Sequence, residues 1–287
     1  MTVIVIGANG QLGGEVTGFL RERGMEVTGL DHSDVEVADF ESVRTVLGDA
    51  GPADLVINTA AMHRVPACEE DPQRAFEVNA LGARNLARVT GERGWILVHI
   101  STDYVYDGVK GKPYSEKDSP RPLNVYGNSK LAGEFFIPSL TDRYYILRVS
   151  GIFGVHPCRA KGHNFVELML HLAEEKEEVR VVDDEILTPT HTLDVARQLE
   201  RMISARAEFG LYHVSARGSC SWYRFCREIY RIRQVATPLK KADPGEFATG
   251  VRRPKYSVLR NAHLQAQGLD IMPHWKEGLR DYLQRIP

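Results

Sequence analysis

The sequence predicts an α/β chain built on a doubly wound parallel sheet, on three observations. Short apolar runs alternate with stretches of helical periodicity through the first half of the chain. Runs such as Thr2 to Ile6 and Trp95 to Ile100 are apolar almost throughout rather than at every second residue, as strands covered on both faces are. A glycine-rich turn joins the first run directly to the first helical pattern.

Composition narrows the class. A chain of 287 residues is long enough for one extended domain with a smaller lobe. Hydrophobic residues make up 43% and charged residues 26%, the ordinary globular range. The formal net charge is -2, and Lys and Arg are scattered, which argues against nucleic acid or a membrane surface as partner. Cys68, Cys158, Cys220 and Cys226 have no metal-ligand spacing and are too few for a disulfide framework. Reduced thiols, a cytoplasmic location and no bound metal are the expectation. Thr2 to Ile6 reads as a buried strand rather than a signal peptide, and no stretch approaches a membrane span.

That first strand runs into Gly7-Ala8-Asn9-Gly10-Gln11-Leu12-Gly13, after which Leu12, Val16, Phe19 and Leu20 mark one face of a helix ending at Gly24. Strand, glycine turn and helix in this order make a Rossmann-type, dinucleotide-binding turn. Gly7 permits the tight turn, Gly10 lets backbone approach a pyrophosphate, and Gly13 brings the helix close. Asn9, Gln11 and Leu12 stand at the helix N-terminus, whose free N–H groups suit phosphate.

The second strand, Glu26 to Leu30, ends at Asp31, placed to accept from an adenosine ribose 2′-hydroxyl and to repel a 2′-phosphate. NAD(P)H is the expected cofactor, with NADH slightly favoured; His32 keeps the phosphate form open. Asp39 reads equally as the N-cap of the next helix and, with Phe40, as a cover for the adenine. Asp54 to Asn58 is the third strand. Ala60 and Ala61 follow it, small enough to let a cofactor pass near the backbone. A long helix after Pro72 takes Phe76, Val78, Leu81, Leu86, Ala87 and Val89 as apolar positions; Asn79 interrupts it, an exposed asparagine being one reading.

Trp95 to Ile100, the fourth strand, ends in Ser101-Thr102-Asp103-Tyr104-Val105-Tyr106-Asp107-Gly108. Hydroxyls there either meet a substrate oxygen or cap the strand. A loop with Pro113, Pro120 and Pro122 leads to Tyr126-Gly127-Asn128-Ser129-Lys130. Tyrosine and lysine four apart share a helix face. A free tyrosine has a pKa of about 10, and a fixed positive charge lowers it enough to make the phenol a usable acid or base.

With these motifs in hand, the chain resembles the extended short-chain dehydrogenase/reductase superfamily and, more narrowly, the dTDP-4-dehydrorhamnose reductase family. The glycine turn, Ser101 to Gly108, Pro122 to Gly127 and Ser129 to Glu134 carry the likeness. Asn164-Phe165, Pro189-Thr190, Gly210 to His213, Arg253-Pro254, Ser257 and Leu259 extend it over nearly the whole chain. The resemblance implies a triad of Thr102, Tyr126 and Lys130. Tyr126 donates a proton to the C4 oxygen of a nucleotide-linked 4-keto-6-deoxy sugar, and Thr102 hydrogen-bonds that oxygen. Lys130 lowers the tyrosine pKa and, with Tyr126, holds the cofactor. It also implies that Asp103 and Tyr104 lie beside the sugar and that the loop ending in Arg252 and Arg253 lies near the nucleotide; an arginine fork suits its diphosphate.

The chain departs from the family in places. Where the family usually has a tryptophan against the sugar, Gly151 stands after Arg148-Val149-Ser150. Asp184-Glu185-Ile186-Leu187-Thr188-Pro189-Thr190 lacks an amide and a glycine of the usual motif. Arg159 and Lys161 lie in a longer, more basic loop, either solvated or facing a substrate diphosphate.

Further on, helices are expected over Asn164 to Glu174, with Phe165, Leu168, Met169 and Leu172 buried, over Leu193 to Ile203, from Ser221 to about Ile232, and from Trp275 to Leu283. Strands are expected at Val179 to Val182 and Leu211 to Val214. The division expected is a dinucleotide-binding domain over 1–154 with a returning segment near 188–207, and a mixed α/β substrate-binding lobe over 155–187 and 208–287. A nucleotide-diphosphate sugar is the expected partner, and a homodimer is allowed. Two other readings stand beside the reductase. One is a reductase or epimerase of another nucleotide sugar. The other is a non-catalytic, cofactor-binding regulatory subunit like the beta subunit of methionine adenosyltransferase.

Overall fold

Strand β1 (Thr2–Ile6) shows why the apolar runs are continuous. Val3 and Val5 enter one hydrophobic core, Ile4 and Ile6 another, on opposite faces of the sheet. In the computed structural model, which describes residues 1–157, 162–243, 245–247 and 250–286, α1 (Gln11–Glu22) and β2 (Glu26–Leu30) follow. Then come α2 (Phe40–Asp49), β3 (Leu55–Asn58), α3 (Val65–Glu70), α4 (Pro72–Phe76), α5 (Gly82–Arg93), β4 (Ile96–Thr102), α6 (Val125–Phe136) and β5 (Tyr144–Val149).

Past β5 the chain builds β6 (Ile152–Phe153), α7 (Phe165–Glu175), β7 (Val179–Val181), β8 (Ile186–Leu187), β9 (Thr190–His191), α8 (Thr192–Ser204) and β10 (Gly210–His213). It ends with β11 (Cys220–Ser221), α9 (Trp222–Arg233), β12 (Leu239–Lys241), α10 (Ala262–Ala266) and α11 (Trp275–Arg285). The main sheet is parallel throughout, ordered β10-β5-β4-β3-β1-β2. The chain leaves β1 to one side and returns as β3 on the other, so the ligand crevice lies between the C-terminal ends of those two strands.

Residues of α1, α8 and α10 cover one face of the sheet, and residues of α2 and α5 the other. Around a third core, with Phe153, Phe225, Trp275 and Tyr282 at its centre, α7, α9 and α11 form the lobe. The β7–β12 and β8–β11 pairs edge it. Asn164 and Glu167 form a reciprocal capping box that starts α7. Because β10 pairs with β5, the sheet takes in a stretch that the sequence reading assigns to the lobe.

Two helix faces differ from expectation. Between α4 and α5 the helix makes a π turn over Glu77–Leu81. That wider turn moves the following side chains off the regular 3.6-residue period. Leu81, at its end, is 41% exposed and Phe76, just before it, 39%, whereas Asn79, for which exposure is one of two open readings, is 1% exposed. On α7, Leu168 faces outward at 38% exposure, and Val166 takes the buried place instead.

Candidate active site

The glycine turn is held from both sides. Gly7 adopts φ +82, and the N–H groups of Gly7 and Ala8 both donate to Leu30 O, at 2.8 and 3.0 Å. A methyl group on Gly13 would sit 2.1 Å from Gly7 O and 2.6 Å from Thr59 Oγ1, so only glycine lets α1 approach this closely. The Gln11 side chain donates to Ile152 O at 3.1 Å, and Leu12 is buried in the sheet core. Both side chains are thus engaged, and their backbone N–H groups stand in the first turn of α1, where such groups suit a phosphate.

Asp31 is already well supplied with donors. Asn9 Nδ2 donates to it at 2.6 Å, and the backbone N–H and hydroxyl of Ser33 donate at 2.7 and 2.5 Å. These bonds, Ser33 foremost, hold the carboxyl below the usual aspartate value. Asp39 caps α2 by accepting from Glu41 N at 2.9 Å, and Phe40 stacks beneath the Arg88 guanidinium, 4.2 Å from the ring centroid. Ala60 and Ala61 are half-buried beside the turn.

At the C-terminal end of β4, Thr102 Oγ1 accepts from Tyr104 N at 3.1 Å and donates to Asp103 Oδ1 at 3.2 Å. Asp103 is buried; Ser150 and Ser257 donate to its other oxygen at 2.8 and 2.6 Å. Burial pushes its carboxyl up, and the three hydroxyls work against that. The next turn meets α6 closely. A methyl on Gly127 would come within 2.3 Å of Tyr104 O, and Asn124 caps the helix by accepting from Gly127 N at 2.9 Å. This docking sets the Tyr104 ring edge-on to Tyr126, with centroids 5.8 Å apart.

Thr102 thus meets Tyr126, and Lys130 lies one turn further along α6 with its Nζ turned to β4, although the titrations of tyrosine and lysine differ from the expectation. Burial raises the Tyr126 phenol well above its ordinary value, with the Thr102 hydroxyl opposing and the Asp103 charge adding to the rise. Burial also lowers Lys130, to about 8. The ammonium donates to Ile100 O at 2.6 Å and lies 3.2 Å from His99 Nε2. Desolvation, rather than an attraction between Lys130 and the phenol, sets both groups here.

From the lobe, the Arg252 carbonyl accepts from Asn124 Nδ2 at 2.9 Å and so ties the arginine loop to the start of α6. Arg253 Nε is buried with no hydrogen-bond partner among the described residues. Its charge counteracts the upward push of burial on Tyr104 and Glu185. Gly151 adopts φ +52; a methyl there would lie 2.6 Å from Leu187 Cδ1, so Leu187 fills the space beside it. Cys158, Arg159 and Lys161 lie outside the described residues.

Several supporting residues escape the sequence reading. Asn79 donates to Met62 O and Ser129 Oγ and accepts from Met62 N, at 2.9, 3.0 and 2.9 Å. Buried Arg148 pairs with Glu134 at 2.5 Å, and Ser101 donates to the same carboxylate, which fastens α6 to β4 and β5. Sequence context marks two such residues as unusual, Asn79 within an apolar helical run and His99 inside an apolar strand.

Set against known proteins, the whole chain, residues 1–287, matches the family model described as RmlD substrate binding domain. It is 41% identical to the spore coat polysaccharide biosynthesis protein SpsK of Bacillus subtilis (strain 168), over 98% of this chain and 96% of that protein. It is 35% identical to a dTDP-4-dehydrorhamnose reductase of Streptomyces griseus, over 97% and 91%. Its fold superposes with a TM-score of 0.94, at 35% identity and 99% coverage of both chains, on a dTDP-4-dehydrorhamnose reductase of Bacillus anthracis str. Ames solved in complex with NADP. The glycine turn, the strand-end Thr102 and the Tyr126–Lys130 helix lie within these full-length matches, and the chain belongs to the dTDP-4-dehydrorhamnose reductase family.

Proposed function

We propose that the chain uses NAD(P)H to reduce the C4 keto group of a nucleotide-linked 4-keto-6-deoxy sugar, with dTDP-4-dehydrorhamnose, giving dTDP-L-rhamnose, as the first candidate. The observation that supports this most is the Thr102 hydroxyl meeting the Tyr126 phenol at the C-terminal end of β4, with Lys130 one helical turn further along α6, in a sheet whose switch point carries the glycine turn. NAD(P)H supplies the hydride when bound. Gly7, Gly10 and Gly13 shape the turn for its pyrophosphate, and Asp31 accepts from the adenosine ribose, which favours NADH slightly. The NADP complex of the Bacillus anthracis relative supports NADPH as the other form to test.

As the carbonyl carbon receives hydride, its oxygen gains negative charge, and Tyr126 donates its phenolic proton there. Thr102 donates a hydrogen bond to the same oxygen and stabilises that charge. Asp103 and Tyr104 border the sugar; Arg253, with its buried unpartnered Nε, faces the substrate diphosphate.

One observation favours a second reading. With Gly151 in place of a large aromatic and Leu187 packed beside it, the sugar pocket is reshaped, which suits a different nucleotide sugar. A cofactor-oxidation assay with enzymatically generated nucleotide 4-keto sugars tests both, alongside Tyr126→Phe. Removing the proton donor is expected to cost about 10²- to 10⁴-fold in turnover. Turnover that survives the substitution removes Tyr126 from its role. No turnover on any sugar by the unaltered chain shifts the reading to a cofactor-binding regulatory subunit.

A further inference from the structure

Behind Lys130 lies a chain of buried polar groups with a fixed direction. His99, on β4, is 1% exposed; its Nε2 lies 3.2 Å from Lys130 Nζ and its Nδ1 lies 3.0 Å from Asn58 Nδ2. The orientation of Asn58 is set elsewhere, because the backbone N–H of Ala60 donates to Asn58 Oδ1 at 3.1 Å. The NH2 end of that amide therefore faces His99, and Nδ1 must accept. A neutral imidazole that accepts at Nδ1 carries its proton on Nε2, where it points at Lys130. An ammonium offers only donors, so it meets this N–H proton to proton. An amine has a lone pair to receive it, while its own N–H groups still serve Ile100 O at 2.6 Å.

We propose that Asn58 and His99 are positioning residues that fix the Nε2–H tautomer, so that the amine form of Lys130 is hydrogen-bonded by His99 and the ammonium form is not. The surrounding groups do not cancel this. Glu134, on the same helix, is committed to Arg148 from β5 and Ser101 from β4. Asp103, on the turn after β4, is bound by Ser150 and Ser257. Cys68 on α3 and Tyr126 on α6 are both raised by burial and so stay neutral. His99 is itself held neutral, pushed well below its ordinary value by burial first and by Lys130 second. The lowering of Lys130 to about 8 agrees in direction, with Glu134 opposing it.

The catalytic consequence rests on the reductase reading. The positive charge that stabilises a Tyr126 phenolate is present only below the Lys130 titration, so activity falls with rising pH earlier than an ordinary lysine of pKa about 10.4 imposes.

The experiment uses the full folded chain labelled with 15N-histidine and 13C-lysine. His99→Gln and Lys130→Met identify the two resonances by their loss. The expected spectrum shows a protonated Nε2 and a bare Nδ1 on His99. In His99→Gln the new amide can turn its carbonyl toward Nζ, and the Lys130 titration is expected to rise by about one pH unit or more. Asn58→Asp offers Nδ1 an acceptor, reverses the tautomer and raises Lys130 likewise. A bare Nε2 in the unaltered protein, or a Lys130 titration unmoved in His99→Gln, overturns the proposal. Should either variant fail to fold, the tautomer in the unaltered protein decides alone. Neither readout requires cofactor or sugar, so a failed reductase assay leaves both results standing.

Discussion

Gly13→Ala places a methyl group where the dinucleotide turn has no room. The added Cβ would lie 2.1 Å from Gly7 O and 2.8 Å from Gly7 C, where ordinary contact begins at 3.4 Å. Both opposing atoms are backbone, and Gly7 N and Ala8 N are bonded to Leu30 O, so no flexible side chain can yield. Overpacking of this kind costs about 1–3 kcal/mol, and a clash with pinned backbone belongs at the upper end. If the fold bears the whole cost, about 3 kcal/mol lowers Tm by about 6–12 °C in a chain of this size. If the turn opens instead, NAD(P)H affinity falls about tenfold for each 1.4 kcal/mol spent there. Thermal unfolding and cofactor titration together divide the cost. Gly18→Ala is the control: the same helix offers nothing within 4 Å of its added methyl, and the change is expected to stabilise by up to about 1 kcal/mol. A Gly13→Ala protein with both Tm and cofactor affinity unchanged refutes the assignment of this turn.

Asn79→Ala removes three hydrogen bonds at the π turn and strands the Met62 backbone; denaturant unfolding should show a loss of about 3 kcal/mol, and a loss under 1 kcal/mol would mean that water replaces the amide. His191 is buried, and its pKa drops from 6.5 to about 4, burial being the largest cause. The unfolded chain therefore binds that proton first as pH falls. The contribution is complete above pH 6.5 and lost as pH falls through about 4, some 3 kcal/mol in all. His191→Gln should flatten that part of the stability profile, and an unchanged slope assigns it to other groups. Arg253→Gln should raise KM for the nucleotide sugar about 10- to 100-fold with kcat little changed, since it removes binding common to ground and transition states. An unaltered KM withdraws Arg253 from the diphosphate.

What the sequence makes legible is what local pattern encodes. The parallel sheet follows from strands apolar on both faces, as the alternation of Val3 and Val5 with Ile4 and Ile6 between two cores makes concrete. Asp39 and Ser221 reveal helix starts because a cap needs only its own neighbours. Leu81 misleads because a π turn breaks the period on which the reading depends, and the burial of Asn79 in that turn settles a question the period leaves open. Other features are illegible for a different reason. Ser150 and Ser257 reach Asp103 across 47 and 154 residues, and no local pattern announces a hydroxyl whose partner is that distant. Leu187 beside Gly151 belongs to the same class: the glycine is visible in the sequence, and what fills its space is not.

The inverted titration of Tyr126 and Lys130 bears on the direction of the proposed chemistry. The spacing suggests a tyrosine brought toward neutrality by a fixed cation, which would serve donor and acceptor roles alike. Instead burial raises the phenol and lowers the lysine to about 8, so near pH 7 the phenol keeps its proton while the lysine is still mostly protonated. A phenol held above its ordinary value is fully loaded with its proton, as an acid in carbonyl reduction must be at the start of each turnover. Alcohol oxidation needs the phenolate at the start, and desolvation opposes that state. The strength lost by raising the phenol must be recovered in the transition state, where Thr102 meets the developing oxyanion and a protonated Lys130 meets the developing phenolate. On the proposed chemistry, burial favours the reductive direction, and the proposed His99–Asn58 pair behind Lys130 would set the pH range over which that direction is sustained.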